Sequence, residues 1–146
     1  MRILVLFILA NLGHHVHCQN AHENLENGIA LHGFDVVSYY EGEALLGVRE
    51  FKYTYLGATY QFHNKSNLQH FKDHPEKYKV EFGGWCAYAM GLNGEKVDIN
   101  PKTFKIINGK LYLFYNANFN NTLNKWNKDE KNLLSKAELN WKKLKK

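Results

Sequence analysis

Phe51-Lys52-Tyr53-Thr54-Tyr55-Leu56-Gly57-Ala58-Thr59-Tyr60-Gln61-Phe62 is the stretch from which the fold class is read. Phe51, Tyr53 and Tyr55 alternate with Lys52 and Thr54, the period of two that a half-buried strand requires. After Gly57 the pattern resumes with Tyr60 and Phe62, so Leu56-Gly57-Ala58 turns a β-hairpin. A second hairpin follows at Thr103 to Ile107 and Lys110 to Tyr115, which flank Asn108-Gly109. Asn-Gly favours the two-residue turn whose central residues both take positive φ.

Helical signals lie around these hairpins. Gly33 reads as a turn, and Asp35 as the N-cap of a short helix carrying Val36, Val37, Tyr39 and Tyr40. Ser66 is expected to cap a helix bearing Leu68 and Phe71, which Pro75 ends; Pro75 to Tyr78 reads as one further turn. Gly83-Gly84 breaks the chain, and Trp85 to Met90 reads as a short helix closed by Gly91 and Gly94. Trp126, Leu133, Ala137, Trp141 and Leu144 recur at helical spacing, an amphipathic closing helix whose stripe is expected to cover the sheet. The expected class is α+β: a small antiparallel sheet of two hairpins packed against short helices and this C-terminal helix.

A chain of 146 residues, 45% of them apolar and only two of them proline, has room for one domain with its own core. Met1-Arg2 gives a positive start and Ile3 to Leu12 is apolar except for Asn11. That run falls short of the roughly 20 residues a membrane span needs. It reads as a secretory signal peptide over 1–18, cleaved after Cys18, followed by a flexible leader over 19–28 and the domain over 29–146. The rival, a retained and lipidated Cys18, needs a small residue before the cysteine, and His17 is a poor one. The expected location is therefore periplasmic or secreted, without stable membrane insertion after cleavage. Net charge is +5, or +4 without Arg2, and much of the excess sits in Lys142, Lys143, Lys145 and Lys146 at the end of the closing helix. A solvated helix end explains that cluster, and no basic stripe across a folded face calls for nucleic acid.

Several motifs in order resemble exported YHS-domain proteins. They are Gly33-Phe34-Asp35-Val36-Val37-Ser38-Tyr39-Tyr40, then Tyr55, Gly57, Tyr60 and Phe62, then Phe71 with His74-Pro75-Glu76-Lys77-Tyr78. Gly83-Gly84-Trp85-Cys86-Ala87, Asn108-Gly109-Lys110-Leu111-Tyr112-Leu113, Trp126 and Asn140-Trp141 complete the set, over about residues 29–144. The resemblance implies that metal binding is worth testing, since it has been proposed for short YHS domains through a cysteine pair in the hairpin-to-helix region. The matching positions here are His63 and Asn67, and Asn67 is a poor ligand. The exported branch instead has a cysteine at the position of Cys86, which some relatives replace with selenocysteine, and that implies soft or redox chemistry there.

Cys86 is the remaining thiol once the signal is removed, so it closes no intramolecular disulfide. It reads either as a metal ligand or redox thiol at a helix N-terminus, or as a small buried hydrophobe between Trp85 and Ala87. Met90 lies four residues on, where a helix would turn it to the same side, and a thiolate with a thioether suits Cu(I). A core methionine is the plainer account. His63 is the best auxiliary ligand among the histidines; His70 and His74 read as surface or capping residues, and His22 and His32 sit near the leader. No Gly-x-Ser-x-Gly and no paired zinc motif appears, and Asn64-Lys65-Ser66 and Asn120-Asn121-Thr122 are sequons only in a glycosylating host. Three functions stay open: an exported module binding copper through Cys86, with Met90 or His63; a thiol-redox protein in which Cys86 meets a small thiol; and a non-catalytic module in which Cys86 only packs.

Overall fold

The computed structural model describes residues 20–146, so the expected signal segment and Gln19 lie outside the described residues. Two short strands come first, β1 (Leu25–Glu26) and β2 (Ile29–Ala30), and then helix α1 (Val36–Tyr40). The first aromatic hairpin is β3 (Val48–Tyr55) with β4 (Ala58–Phe62), joined by Leu56 and Gly57 at φ 47° and 82°. Two positive φ values give the hairpin turn that matches strand twist, and Leu56 accepts a conformation usually left to glycine or asparagine. The four strands order as β1-β2-β4-β3, with β2 parallel to β4 and the other pairs antiparallel.

Helix α2 (Lys65–Asp73) follows, and its cap is Asn64 rather than Ser66: the Asn64 side chain accepts from the Asn67 N–H at 2.8 Å. Helix α2 ends before Pro75, whose own 3-10 turn runs to Tyr78. Phe71 projects from it into the hairpin's aromatic face, with ring centroids of Tyr60 at 4.7 Å, Phe62 at 5.2 Å and Tyr55 at 5.8 Å. This is the centre of the first core cluster, and burial of such a ring is worth about 3–5 kcal/mol against alanine.

The second half carries helix α3 (Ala87–Leu92), the hairpin β5 (Asn100–Ile107) and β6 (Lys110–Phe114), the two-residue strands β7 (Asn116–Ala117) and β8 (Asn120–Asn121), and helices α4 (Thr122–Trp126) and α5 (Glu130–Leu144). Asn108 and Gly109 turn the hairpin at φ 51° and 73°, as Asn-Gly foretells. The two hairpins form separate sheets, not one. They meet through the shared core, and parallel bridges from Val80 to Leu111 and from Cys86 to Leu113 tie the segment between them to β6.

The closing helix differs from its expected form in two ways. Trp126 belongs to the separate helix α4, and α5 rests chiefly on α3 instead of covering the sheet. Gly91 makes that contact: a Cβ there would meet the Leu133 carbonyl oxygen at 2.5 Å, so only glycine lets the two backbones approach. Leu133 and Ala137 are buried, whereas Leu144 is exposed. Trp126 is fully buried and donates its indole N–H to Glu130 Oε2 at 2.9 Å, and Lys105 from β5 pairs with the same carboxylate. A second core cluster thereby gathers Trp126, Phe114, Tyr112, Phe82 and Met90.

Residues 21–24 are not a loose leader. The Asn24 N–H donates to the Gly83 carbonyl at 2.8 Å, the Trp85 indole donates to the His22 carbonyl at 2.7 Å, and Asn24 Nδ2 donates to Asp98 at 2.9 Å. Gly83 has φ +61° and a Cβ there would lie 2.7 Å from the His22 oxygen. The glycine and tryptophan of the motif before Cys86 therefore hold the start of the described chain. Among the described residues, no helix is long and apolar enough to cross a membrane.

Candidate functional site

Cys86 occupies the N-cap of α3 with φ −57° and ψ 115°, outside the helical region. Its own backbone is fully engaged: its N–H donates to the Val97 carbonyl at 2.9 Å and its carbonyl accepts from Met90 at 3.0 Å. The side chain turns toward the segment that follows β6. There the Tyr115 backbone N–H donates to the sulfur at 3.3 Å, and the Thr122 hydroxyl lies 3.5 Å away.

The proton positions follow from the third contact. Thr122 Oγ1 is 2.7 Å from the Tyr115 carbonyl, and a carbonyl can only accept, so the hydroxyl donates there. The S–H then donates to Thr122 Oγ1, closing a ring of three hydrogen bonds through Cys86, Thr122 and Tyr115. The Tyr115 carbonyl also accepts the Thr122 backbone N–H at 3.0 Å. Rotating the hydroxyl toward an ionised sulfur would therefore leave that carbonyl with a partner. The surroundings serve the thiol as it stands and an anionic sulfur after one rotation.

Cys86 lines a cleft of about 320 Å³ with Tyr88, Leu92, Glu95, Val97 and Asn120. Cys86 itself has no exposed surface, so the sulfur lies beneath the cleft lining. Asn120 supplies the second polar feature: its Oδ1 is buried and accepts no hydrogen bond among the described residues. An acceptor in that state costs about 1–3 kcal/mol unless something in the cleft donates to it.

The three sequence-derived ligands do not meet. Met90 is fully buried in the second cluster with Phe82, Trp126 and Ala137, while Cys86 belongs to the first. The i, i+4 argument fails because Cys86 caps α3 and does not share its helical geometry. His63 is exposed at the far end of β4, its Nδ1 donating to the Leu46 carbonyl at 3.2 Å. Among the described residues no group of three His, Cys, Asp or Glu side chains is placed to hold a metal ion. The sulfur's own neighbours are the Tyr115 N–H and the Thr122 hydroxyl. Of the three expected ligands, Cys86 is the one that lines the cleft.

The positions matching the proposed metal pair have another task. The His63 backbone N–H and the Asn67 amide both donate to Asp35 Oδ2, at 2.8 and 2.7 Å. Asp35 Oδ1 accepts from Val37 at 2.8 Å and Ser38 at 3.4 Å, so this fully buried carboxylate is saturated by four donors. It ties α1, β4 and α2 together. No family model, curated protein or solved structure matches the chain.

Proposed function

We propose that the chain is an exported module of YHS type in which Cys86 is a redox thiol, carried between thiol, sulfenic acid and mixed disulfide. The observation that supports this most is the placing of the Tyr115 N–H and the Thr122 hydroxyl at 3.3 and 3.5 Å from the sulfur of a residue that lines a cleft. The N–H, and the hydroxyl once rotated, would donate to a thiolate, the reactive form, or to a bound sulfenate oxygen. With a hydroperoxide as oxidant, the Cys86 thiolate attacks the distal oxygen, the O–O bond breaks, and hydroxide or alkoxide leaves. A small thiol then attacks the sulfenic sulfur, an S–S bond forms, and water carries away the oxygen. Asn120 Oδ1 offers the acceptor that a sulfenic O–H would use. A second thiol releases Cys86 by exchange.

Full burial of Cys86 favours a second reading, a cysteine that only packs, and one experiment separates the two. Wild type and Cys86→Ala are treated with hydrogen peroxide, then L-cysteine, and their intact masses are compared; the variant accounts for any reaction at Cys18. The redox reading expects wild type alone to gain one cysteine at residue 86, reversed by dithiothreitol. No mass gain in the folded protein sinks it and leaves the packing reading. A Cu(I) titration run alongside is expected to give the same weak binding for both proteins; strong binding lost in Cys86→Ala would restore the copper reading.

A further inference from the structure

A larger cavity, of about 550 Å³, lies elsewhere and shares no lining residue with the Cys86 cleft. Its size falls within the range of small-molecule sites, about 300–1,000 Å³. The floor is apolar and aromatic: Phe71, Tyr60, Tyr78 and Val80. Phe71 packs against both Tyr60 and Tyr78, with ring centroids 4.7 and 6.3 Å apart. The Tyr60 hydroxyl has no hydrogen-bond partner among the described residues, and burial pushes its pKa to about 12, so it stays a neutral donor.

The rim carries charges of both signs. Glu23 lines the cavity from the docked N-terminal segment, half-buried and without a hydrogen bond among the described residues. Burial raises its pKa against the pull of Lys79, Lys145 and Lys96, which marks a carboxyl short of a close cationic partner. Lys79 and Lys145 line the same cavity. An aromatic floor beneath two acids, Glu23 and Glu76, and two lysines matches a ligand with a flat apolar body and both charges at one end. A fatty acid or a simple amine would satisfy one sign and be opposed by the other.

We propose that this cavity binds a free aromatic amino acid, its ring on Tyr60 and Tyr55, its ammonium on Glu23 and its carboxylate on Lys79 and Lys145. The site is independent of the thiol chemistry, and either can fail alone.

Calorimetric titration of the full chain tests it with four probes: L-phenylalanine, phenethylamine (no carboxylate), 3-phenylpropionate (no ammonium) and glycine (no ring). L-phenylalanine is expected to bind, with each of the others weaker by about tenfold or more. Glu23→Gln is expected to weaken L-phenylalanine by about tenfold and to leave 3-phenylpropionate unchanged or tighter. The proposal is overturned if L-phenylalanine shows no binding at about 10 mM, if a truncated probe binds as tightly, or if Glu23→Gln leaves L-phenylalanine unaffected. The probe comparison uses the unaltered protein, so it does not depend on any variant folding.

Discussion

The backbone N–H of Tyr115 donates to the sulfur of Cys86 at 3.3 Å, and the hydroxyl of Thr122 joins the two by donating to the Tyr115 carbonyl at 2.7 Å. Thr122→Val removes the one mobile donor and keeps the shape. The thiol loses its acceptor, which costs about 1 kcal/mol of stability, and the anion loses a hydrogen bond, which slows oxidation of Cys86 by about tenfold. Thr122→Ser is expected to restore the rate. Mass-resolved peroxide kinetics on the three proteins reads this directly, and equal rates in Thr122→Val and wild type would count against a role for the hydroxyl.

Asp35 is the fold's most heavily used polar side chain, with four donors on one buried carboxylate. Asp35→Ala strands the His63 and Val37 N–H groups and the Asn67 amide in the core. The expected loss is about 3 kcal/mol or more, read as the shift of the urea midpoint. A change below about 1 kcal/mol would show that water or relaxation replaces those bonds.

Contact between α3 and α5 rests on the absence of a side chain at residue 91. Gly91→Ala places a methyl 2.5 Å from the Leu133 carbonyl oxygen, so the helices must separate. The gain in helix propensity, about 1 kcal/mol, is expected to lose to an overpacking cost of about 1–3 kcal/mol. A lower melting temperature supports this packing, and a higher one contradicts it.

Two glutamates are expected to respond to pH with opposite signs. The hydrogen bond from Lys105, aided by the Trp126 indole, lowers the pKa of Glu130 despite some burial. A lowered value adds stability that is present above the unfolded value, about 4.3, and is lost as pH falls through the folded value. Glu23 is raised by burial, so its contribution is present below about 4.3 and is lost as pH rises through its folded value. Melting temperatures of Glu130→Gln relative to wild type are expected to be worse at pH 7 than at pH 4. Those of Glu23→Gln are expected to be better at pH 7 than at pH 4. Parallel behaviour of the two variants would contradict both assignments.

Both hairpins, the Asp35 cap and the stop at Pro75 were legible because each depends on neighbours in the chain. Alternating aromatics fix a strand face, and Asn108-Gly109 fixes a turn. The sulfur's environment was not legible, since its partners lie 29 and 36 residues away and one of them is a backbone N–H that no residue type announces. Asn120-Asn121-Thr122 could be noticed only as a sequon, yet two of those residues line the cleft. The Cys86–Met90 pairing failed on a backbone angle, ψ 115° at the cap, which spacing alone does not reveal. Gly83 showed itself as a chain breaker; that it admits the His22 carbonyl needed the fold.

The central claim is that Cys86 reacts as part of the folded molecule, from the cleft, although it has no exposed surface. Its modification rate by peroxide followed by dimedone, measured across urea concentrations below the unfolding transition, tests this most directly. A reactive cleft thiol gives a rate nearly independent of urea, since only a local displacement opens it. A rate that rises with the full urea dependence of global unfolding would mean that the sulfur is reached only in the unfolded chain, and the account of Cys86 as a redox thiol would be wrong.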